Sequence, residues 1–288
     1  MPAASTHAEF AKTVLESLPL EKRRKITNLS MYYLGSQGPD LLFFSRYMFL
    51  PGSLHRYGNM MHSGKVREVI HYFDRHCVTM SLRSYFYGYL THYALDSTCH
   101  GIINACAKKE NLEKGTHESE AHFRLEGELD AWTLNQSGRS VSDYNVFSML
   151  KVQKTDAQEL ARLYHDMFQS VYGISVSKKT LEDACYDCAR ITFHLRPGKI
   201  RFFIASWVES VTHAPRLISG MMLYDKEGAS PSVLNLSHHP WIWYGESKKS
   251  YPELFEEAKT LAMNLFESRD NRFIQKNFNS VPLGETIL

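Results

Sequence analysis

Residues 85–100 read Tyr85-Phe-Tyr-Gly-Tyr-Leu-Thr-His92-Tyr-Ala-Leu-Asp96-Ser-Thr-Cys-His100. His92, Asp96 and His100 recur at i, i+4 and i+8, so a helix would align them along one face. The Tyr, Ala and Leu around them mark this helix as largely buried. Buried imidazoles and carboxylates need hydrogen bonds or a metal to satisfy them. The helical rise separates His92 from His100 by roughly 12 Å along the axis. A zinc–nitrogen or zinc–oxygen bond spans only about 2.0–2.2 Å. Three residues so spaced do not fit around one ion. They suit two or three ions, with Asp96 between them as a bridge.

About twenty residues on, His122-Phe-Arg-Leu-Glu126-Gly-Glu-Leu-Asp130 repeats the device: a histidine and a carboxylate one turn apart, with Asp130 continuing the face. A His–x3–Glu pair can hold an ion by itself, and two facing helices that aim such pairs inward are one way of building a metal site in a bundle. The competing reading is plain surface contact. The chain has 14 histidines, and a single i,i+4 His–carboxylate pair is more commonly a contact between exposed side chains. Two tandem sets on neighbouring helices favour metal.

Outward from these segments, helical periodicity dominates. The spacing predicts helices near 8–17, 20–34, 65–80, 83–107 and 117–134. In the second half it predicts helices from about Thr155 to Tyr172, over 178–195, over 199–224 with a break near Pro215, and over 251–267. Gln158 stands in the capping-box position relative to Thr155, and Ser250 with Glu253 forms a second box that tolerates Pro252 in the first turn. Loops are expected at Gly35–Pro39, Pro51–Gly58, 108–116, 135–143 and 226–245. Alternating strand patterns with hairpin turns are weak, and no Pro/Gly/Ser linker divides the chain. The expectation is one all-α domain over 1–288.

The totals exclude several classes. Lys+Arg number 33 and Asp+Glu 31, a net charge of +2, which argues against nucleic acid as a partner. At 43% hydrophobic residues a sizeable core can be buried. No run approaches the roughly 18 apolar residues of a spanning helix. The first 25 residues carry no basic head followed by an apolar run, so the chain reads as lacking a secretory signal and as cytoplasmic. The five cysteines argue against a disulfide framework. Cys185 and Cys188 have CxxC spacing, but inside a helical pattern and without a second pair, so they read as two cysteines sharing a helix.

At GYLTHYALDSTCH (88–100) and HFRLEGELD (122–130) the chain resembles the zinc-dependent phospholipase C family, related in fold to single-strand-specific zinc nucleases. Ser5-Thr6-His7, Gly35-Ser-Gln-Gly-Pro-Asp40, Gly58-Asn-Met-Met-His62, Asn235-Leu-Ser-His-His-Pro-Trp241 and Ser250-Tyr-Pro-Glu-Leu-Phe255 follow its pattern in order. The resemblance implies an all-α fold with three zinc ions at the bottom of a cleft. It implies that His7, His62 and His92 are ligands, that Asp40 binds metal and acts as general base, and that Asp96 bridges. His122 and Glu126 match the pair on the following helix, with His100 completing their ion. Two features depart from the pattern. The start is Met-Pro-Ala rather than a tryptophan whose amine binds metal, and His100 lies four rather than six residues beyond Asp96. The chain also ends too soon for the separate lipid-binding β-domain found on some toxins.

With three zinc ions against Asp40, Asp96 and Glu126, the site would carry about three net positive charges, an attractive well for a phosphodiester. The resemblance implies phospholipid headgroup cleavage to diacylglycerol, and at most transient contact with a membrane surface. Two other readings stay open: hydrolysis of nucleic acid or another phosphate ester on the same metals, and a non-catalytic protein with a partial metal set. His55, His71 and His76 carry no assigned role, and His238 and His239 stand beside Pro240 and Trp241 as candidates for the cleft edge.

Overall fold

Helices make up nearly all regular structure in the computed structural model, which describes residues 4–47, 50–143, 145–223 and 228–284. In order these are α1 (Ala4–Ser17), α2 (Leu20–Arg23), α3 (Leu29–Gly35), α4 (His55–Ser63), α5 (Val66–His76), α6 (Met80–Lys114) and α7 (Glu118–Gln136). They continue with α8 (Val146–Met149), α9 (Lys154–Met167), α10 (Lys178–His194), α11 (Lys199–Val211), α12 (Ile218–Met221), α13 (Pro231–Leu234) and α14 (Tyr251–Glu267). The two short strands β1 (Trp241–Ile242) and β2 (Glu246–Ser247) pair antiparallel. The all-α expectation holds. None of the described helices is long and apolar enough to cross a membrane.

Helix α6 is the axis on which the others pack, chiefly α3, α14, α7 and α1. Its crossing with α3 needs two glycines. A Cβ on Gly35 would lie 2.0 Å from the Tyr85 carbonyl oxygen, and one on Gly88 would lie 1.9 Å from that of Tyr32. Backbones this close leave no room for a side chain. The contact delivers the loop after α3 onto the middle of α6. There Gly38, at φ +52°, would drive a Cβ into the His92 ring at 2.2 Å. Gly38 therefore serves both a left-handed turn and the close approach of Asp40 to His92.

Several element boundaries differ from the sequence expectations. The helix expected over 20–34 is two helices, because Asn28 turns out of helical conformation and accepts from Met31 N at 3.1 Å, capping α3. The expected loop 108–116 is helical to Lys114. That polar stretch is held by Lys114–Glu110 and Lys109–Glu113 pairs one turn apart and stops at Gly115, φ +68°. Helix α4 starts inside the expected loop Pro51–Gly58, and α5 ends at His76 rather than 80. Helix α9 opens on Gln153 without a side-chain cap, so the Thr155–Gln158 box does not form, whereas the Ser250–Glu253 box is present. The break expected near Pro215 within 199–224 is present, between the end of α11 at Val211 and the start of α12 at Ile218, where the Glu209 carboxylate accepts from Ile218 N (2.6 Å) and Ser219 N (3.3 Å). The expected loop 226–245 contains α13 and β1 among its described residues.

Cys185 and Cys188 are free and buried on α10, where burial pushes the Cys185 thiol up to about 12. A thiol held protonated in this way is a poor nucleophile or ligand.

Candidate metal centre

Five elements aim side chains into one buried hollow. Helix α1 supplies His7, the turn after α3 supplies Asp40, and α4 supplies His62. Helix α6 supplies His92, Asp96 and His100, and α7 supplies His122 and Glu126. The structure brings all eight sequence-predicted residues together. Their donor atoms form three sets that can each hold an ion: His7 with His92 and Asp96, Asp40 with His62 and His92, and His100 with His122 and Glu126. His92 belongs to two sets. Asp96 stands between the first two sets, with Oδ1 3.3 Å from His7 Nε2 and Oδ2 at 3.0 Å from His92 Nε2 and 3.9 Å from His62 Nε2, while its 3.6 Å approach to His100 is to Nδ1, not to the Nε2 that faces Glu126. His62 Nε2 lies 2.9 Å from Asp40 Oδ1, and both His100 Nε2 and His122 Nε2 lie 3.1 Å from Glu126 Oε1.

The ring orientations are fixed from behind. His62 Nδ1 faces the Gly58 carbonyl (2.8 Å), His92 Nδ1 that of Ser36 (3.0 Å) and His100 Nδ1 that of Phe278 (2.7 Å). Each outer N–H donates to backbone, which leaves Nε2 of His62 and His92 to present a lone pair inward, while His100 Nε2 meets Glu126 Oε1. Asp40 Oδ1, His62 Nε2, His92 Nε2, Asp96 Oδ2 and His7 Nδ1 are buried and make no hydrogen bond to the described residues. Close spacing without hydrogen-bond alignment means these atoms converge on a shared point rather than on each other. Buried polar atoms left this way are costly, and a divalent ion would satisfy them. Imidazole and carboxylate donors fit zinc.

Electrostatics follow from burial and crowding. Burial opposes charge on Asp96, yet His100, His92 and His7 hold its carboxyl well below the usual range. Burial also works against protonated His100, but Asp96 and then Glu126 prevail and raise it to about 9. His7 is likewise raised, by Asp96 and Asp40 against burial. Burial pushes His92 down.

Two further features hold the site in place. Asp130, which continues the His122–Glu126 face in sequence, does not join the ligand sets. Its carboxylate caps α1 from another helix, accepting from Thr6 N and Thr6 Oγ1 at 2.7 Å each and from Ser5 N at 3.4 Å. It thereby fixes the turn that carries His7. Asp130→Ala is expected to lower stability by about 1–2 kcal/mol, as loss of an N-cap does, and to reduce bound zinc. Thermal melting and metal analysis check both, and Asp130→Asn, which keeps one acceptor oxygen, should recover part of each loss. The second addition is the segment 277–280. Phe278 packs its ring within 5.2 Å of His62 and 5.4 Å of His92, its carbonyl orients His100, and Ser280 Oγ donates to the Asp96 carbonyl at 3.0 Å. Only the spatial return of the chain to α6 reveals this role.

His238 is exposed and bonds the Lys248 carbonyl, while His71 meets Asn271 and His76 stacks on Tyr72, so these histidines serve local structure. The expected contribution of the chain's own amino terminus lies outside the described residues. Of the eight clustered residues only His122 is not fully buried. It lines a surface depression of about 500 Å³ with Asn111, His117, Glu118, Ser119 and Phe123.

Comparison with curated proteins and with solved structures gave no match. A family model described as zinc dependent phospholipase C matches residues 6–186, well over half of the chain, and that span holds every residue of the three donor sets. The chain belongs to the zinc-dependent phospholipase C family.

Proposed function

We propose that this protein is a zinc phosphodiesterase that cleaves a phospholipid between diacylglycerol and its phosphorylated headgroup, with His7, Asp40, His62, His92, Asp96, His100, His122 and Glu126 as the metal ligands. The observation that carries the reading is the convergence of three donor sets on one hollow, where Asp40 Oδ1, His62 Nε2, His92 Nε2 and Asp96 Oδ2 lie buried without a hydrogen bond to the described residues. When bound, zinc supplies Lewis acidity and lowers the pKa of water from 15.7 to about 7.

The chain's own groups supply position and proton handling. Ser36, Gly58 and Phe278 carbonyls lock the imidazoles, so the donors stay preorganised. Asp40, buried against His62 and His92, accepts the proton of the attacking water. The water oxygen bonds phosphorus as the bond to the glycerol oxygen breaks, and that oxygen takes up a proton to leave as diacylglycerol. The low-dielectric walls strengthen each of these interactions.

The test is zinc content together with hydrolysis of phosphatidylcholine and of single-stranded DNA. Two to three zinc ions per chain and release of diacylglycerol are expected. Cleavage of DNA alone would replace the lipid reading by a nuclease, and substoichiometric zinc without hydrolysis would leave a non-catalytic protein.

A further inference from the structure

Helix α11, Lys199-Ile-Arg-Phe-Phe-Ile-Ala-Ser-Trp-Val-Glu-Ser-Val211, lies outside the matched family span and is built inside out relative to the rest of the fold. Ile200, Phe203, Ile204, Trp207, Val208 and Val211 recur at i, i+3, i+4, i+7, i+8 and i+11, the stripe that normally faces a core. Here each of them is between 45 and 76% exposed. Glu209, the one acid of the helix, is the residue that is buried. Its carboxylate is spent on the Ile218 and Ser219 amides. Around the stripe stand Arg196, Lys199, Arg201 and Arg216, with no other acid in 191–220. A contiguous apolar patch of this kind marks an interaction site.

We propose that α11 is an interfacial helix that lies flat on a phospholipid surface, with its apolar stripe sunk among the acyl chains and its basic residues on anionic headgroups. The charge pattern selects this occupant. Two copies meeting through the same face would bring the Lys199 and Arg201 flanks of both helices into one interface, where 191–220 offers no acid but the buried Glu209 to pair with them. An anionic bilayer complements both halves of the helix, apolar stripe and cationic rim. The placement serves the hydrolase reading, on which the benefit of docking rests. Helix α12, joined to α11 through Glu209, sets Gly220 against Phe123 and Arg124 of α7, and Arg216 N donates to Glu120 at 3.2 Å. The docked helix is thereby tied to the turn that carries His122, which lines a surface depression.

The experiment is flotation of the zinc-loaded full chain with vesicles of equimolar phosphatidylcholine and phosphatidylglycerol, and with phosphatidylcholine alone. The protein is expected to float with the mixed vesicles and more weakly with the neutral ones. The double variant Ile204→Glu, Trp207→Glu should lose at least about tenfold in partitioning. Its melting temperature and zinc content, measured beside wild type, report that the fold is intact, since both side chains already face outward. A wild-type protein that stays down with both vesicles, or a double variant that floats like wild type, overturns the proposal. So does a wild-type dimer that the double variant splits while neither form floats, which would give the face to a second copy. Hydrolysis of a dissolved short-chain phosphatidylcholine separates the two readings. Vesicle binding through α11 without any cleavage keeps the docking and removes the hydrolase. Cleavage by a protein whose double variant still floats removes the docking alone.

Discussion

Asp96→Asn is expected to release more than one zinc ion per chain and to lower kcat/KM toward phospholipid by at least about 10³-fold, a loss of about 4 kcal/mol. The size of the effect comes from the position of one carboxylate. Asp96 Oδ1 faces His7 while Oδ2 faces His92 and His62, all within 3.9 Å, so the carboxylate stands between two donor sets. The amide keeps the shape but removes the charge and turns one oxygen into a donor that points at lone pairs. Glu126→Gln is the informative comparison. Among the described donors its carboxylate shares a set with His100 and His122, so that substitution should release about one ion. Metal analysis of the two variants distinguishes a bridging residue from a terminal one. Equal losses for both would place Asp96 in a single set.

What could be read from the chain without its fold is the part governed by local periodicity. The i, i+4, i+8 spacing of His92, Asp96 and His100 survives because α6 is continuous from Met80 to Lys114. One ion cannot serve both ends of that row, and His92 and His100 fall in different donor sets. The four-residue step from Asp96 to His100, shorter than the family pattern, still lands on His122 and Glu126, because one helical turn suffices to reach α7. Resemblance, not spacing, led to His7, Asp40 and His62. Each stands on a separate element, and no local signal links them.

The misread stretches share a physical cause: tertiary contact outweighed local chemistry. Pro51-Gly52 is a turn, as its residues suggest, but α4 opens at His55 inside the expected loop, where the missing Cβ of Gly58 lets the Phe43 ring approach within about 3 Å of where that Cβ would be. Phe278 sits in a stretch with no helical period, and its importance comes from a return of the chain across some 180 residues to His100. Asp130 follows the ligand face by count, but Thr6 and Ser5 capture it first. The exposed stripe of α11 is indistinguishable by sequence from a core helix, since period reports which residues share a face and not what covers that face.

Removing zinc with a chelator is expected to lower the melting temperature, and the gap between loaded and stripped protein is expected to widen as pH rises from about 6.5 to about 9. The sign follows from which groups replace the metal's charge. In the stripped chain His100 is raised to about 9 by Asp96 and Glu126 against burial, and His7 is raised by Asp96 and Asp40. Protons on these rings then neutralise the buried carboxylates. A histidine whose folded pKa lies above its unfolded value of about 6.5 contributes stability that is full below 6.5 and lost as pH climbs through the folded value. For His100 the contribution is on the order of 3 kcal/mol, at 1.36 kcal/mol per pH unit. Asp96, held low, loses its own contribution only in acid, and His92, pushed down by burial, weakens the fold below 6.5 rather than above it. Neither acts in the window from 6.5 to 9. The loaded protein should be flat over that window, because metal takes the place of the protons and binds more tightly as they leave. Melting curves of both forms at a series of pH values measure the gap directly. A constant gap would mean that the buried carboxylates are neutralised by something other than His7 and His100.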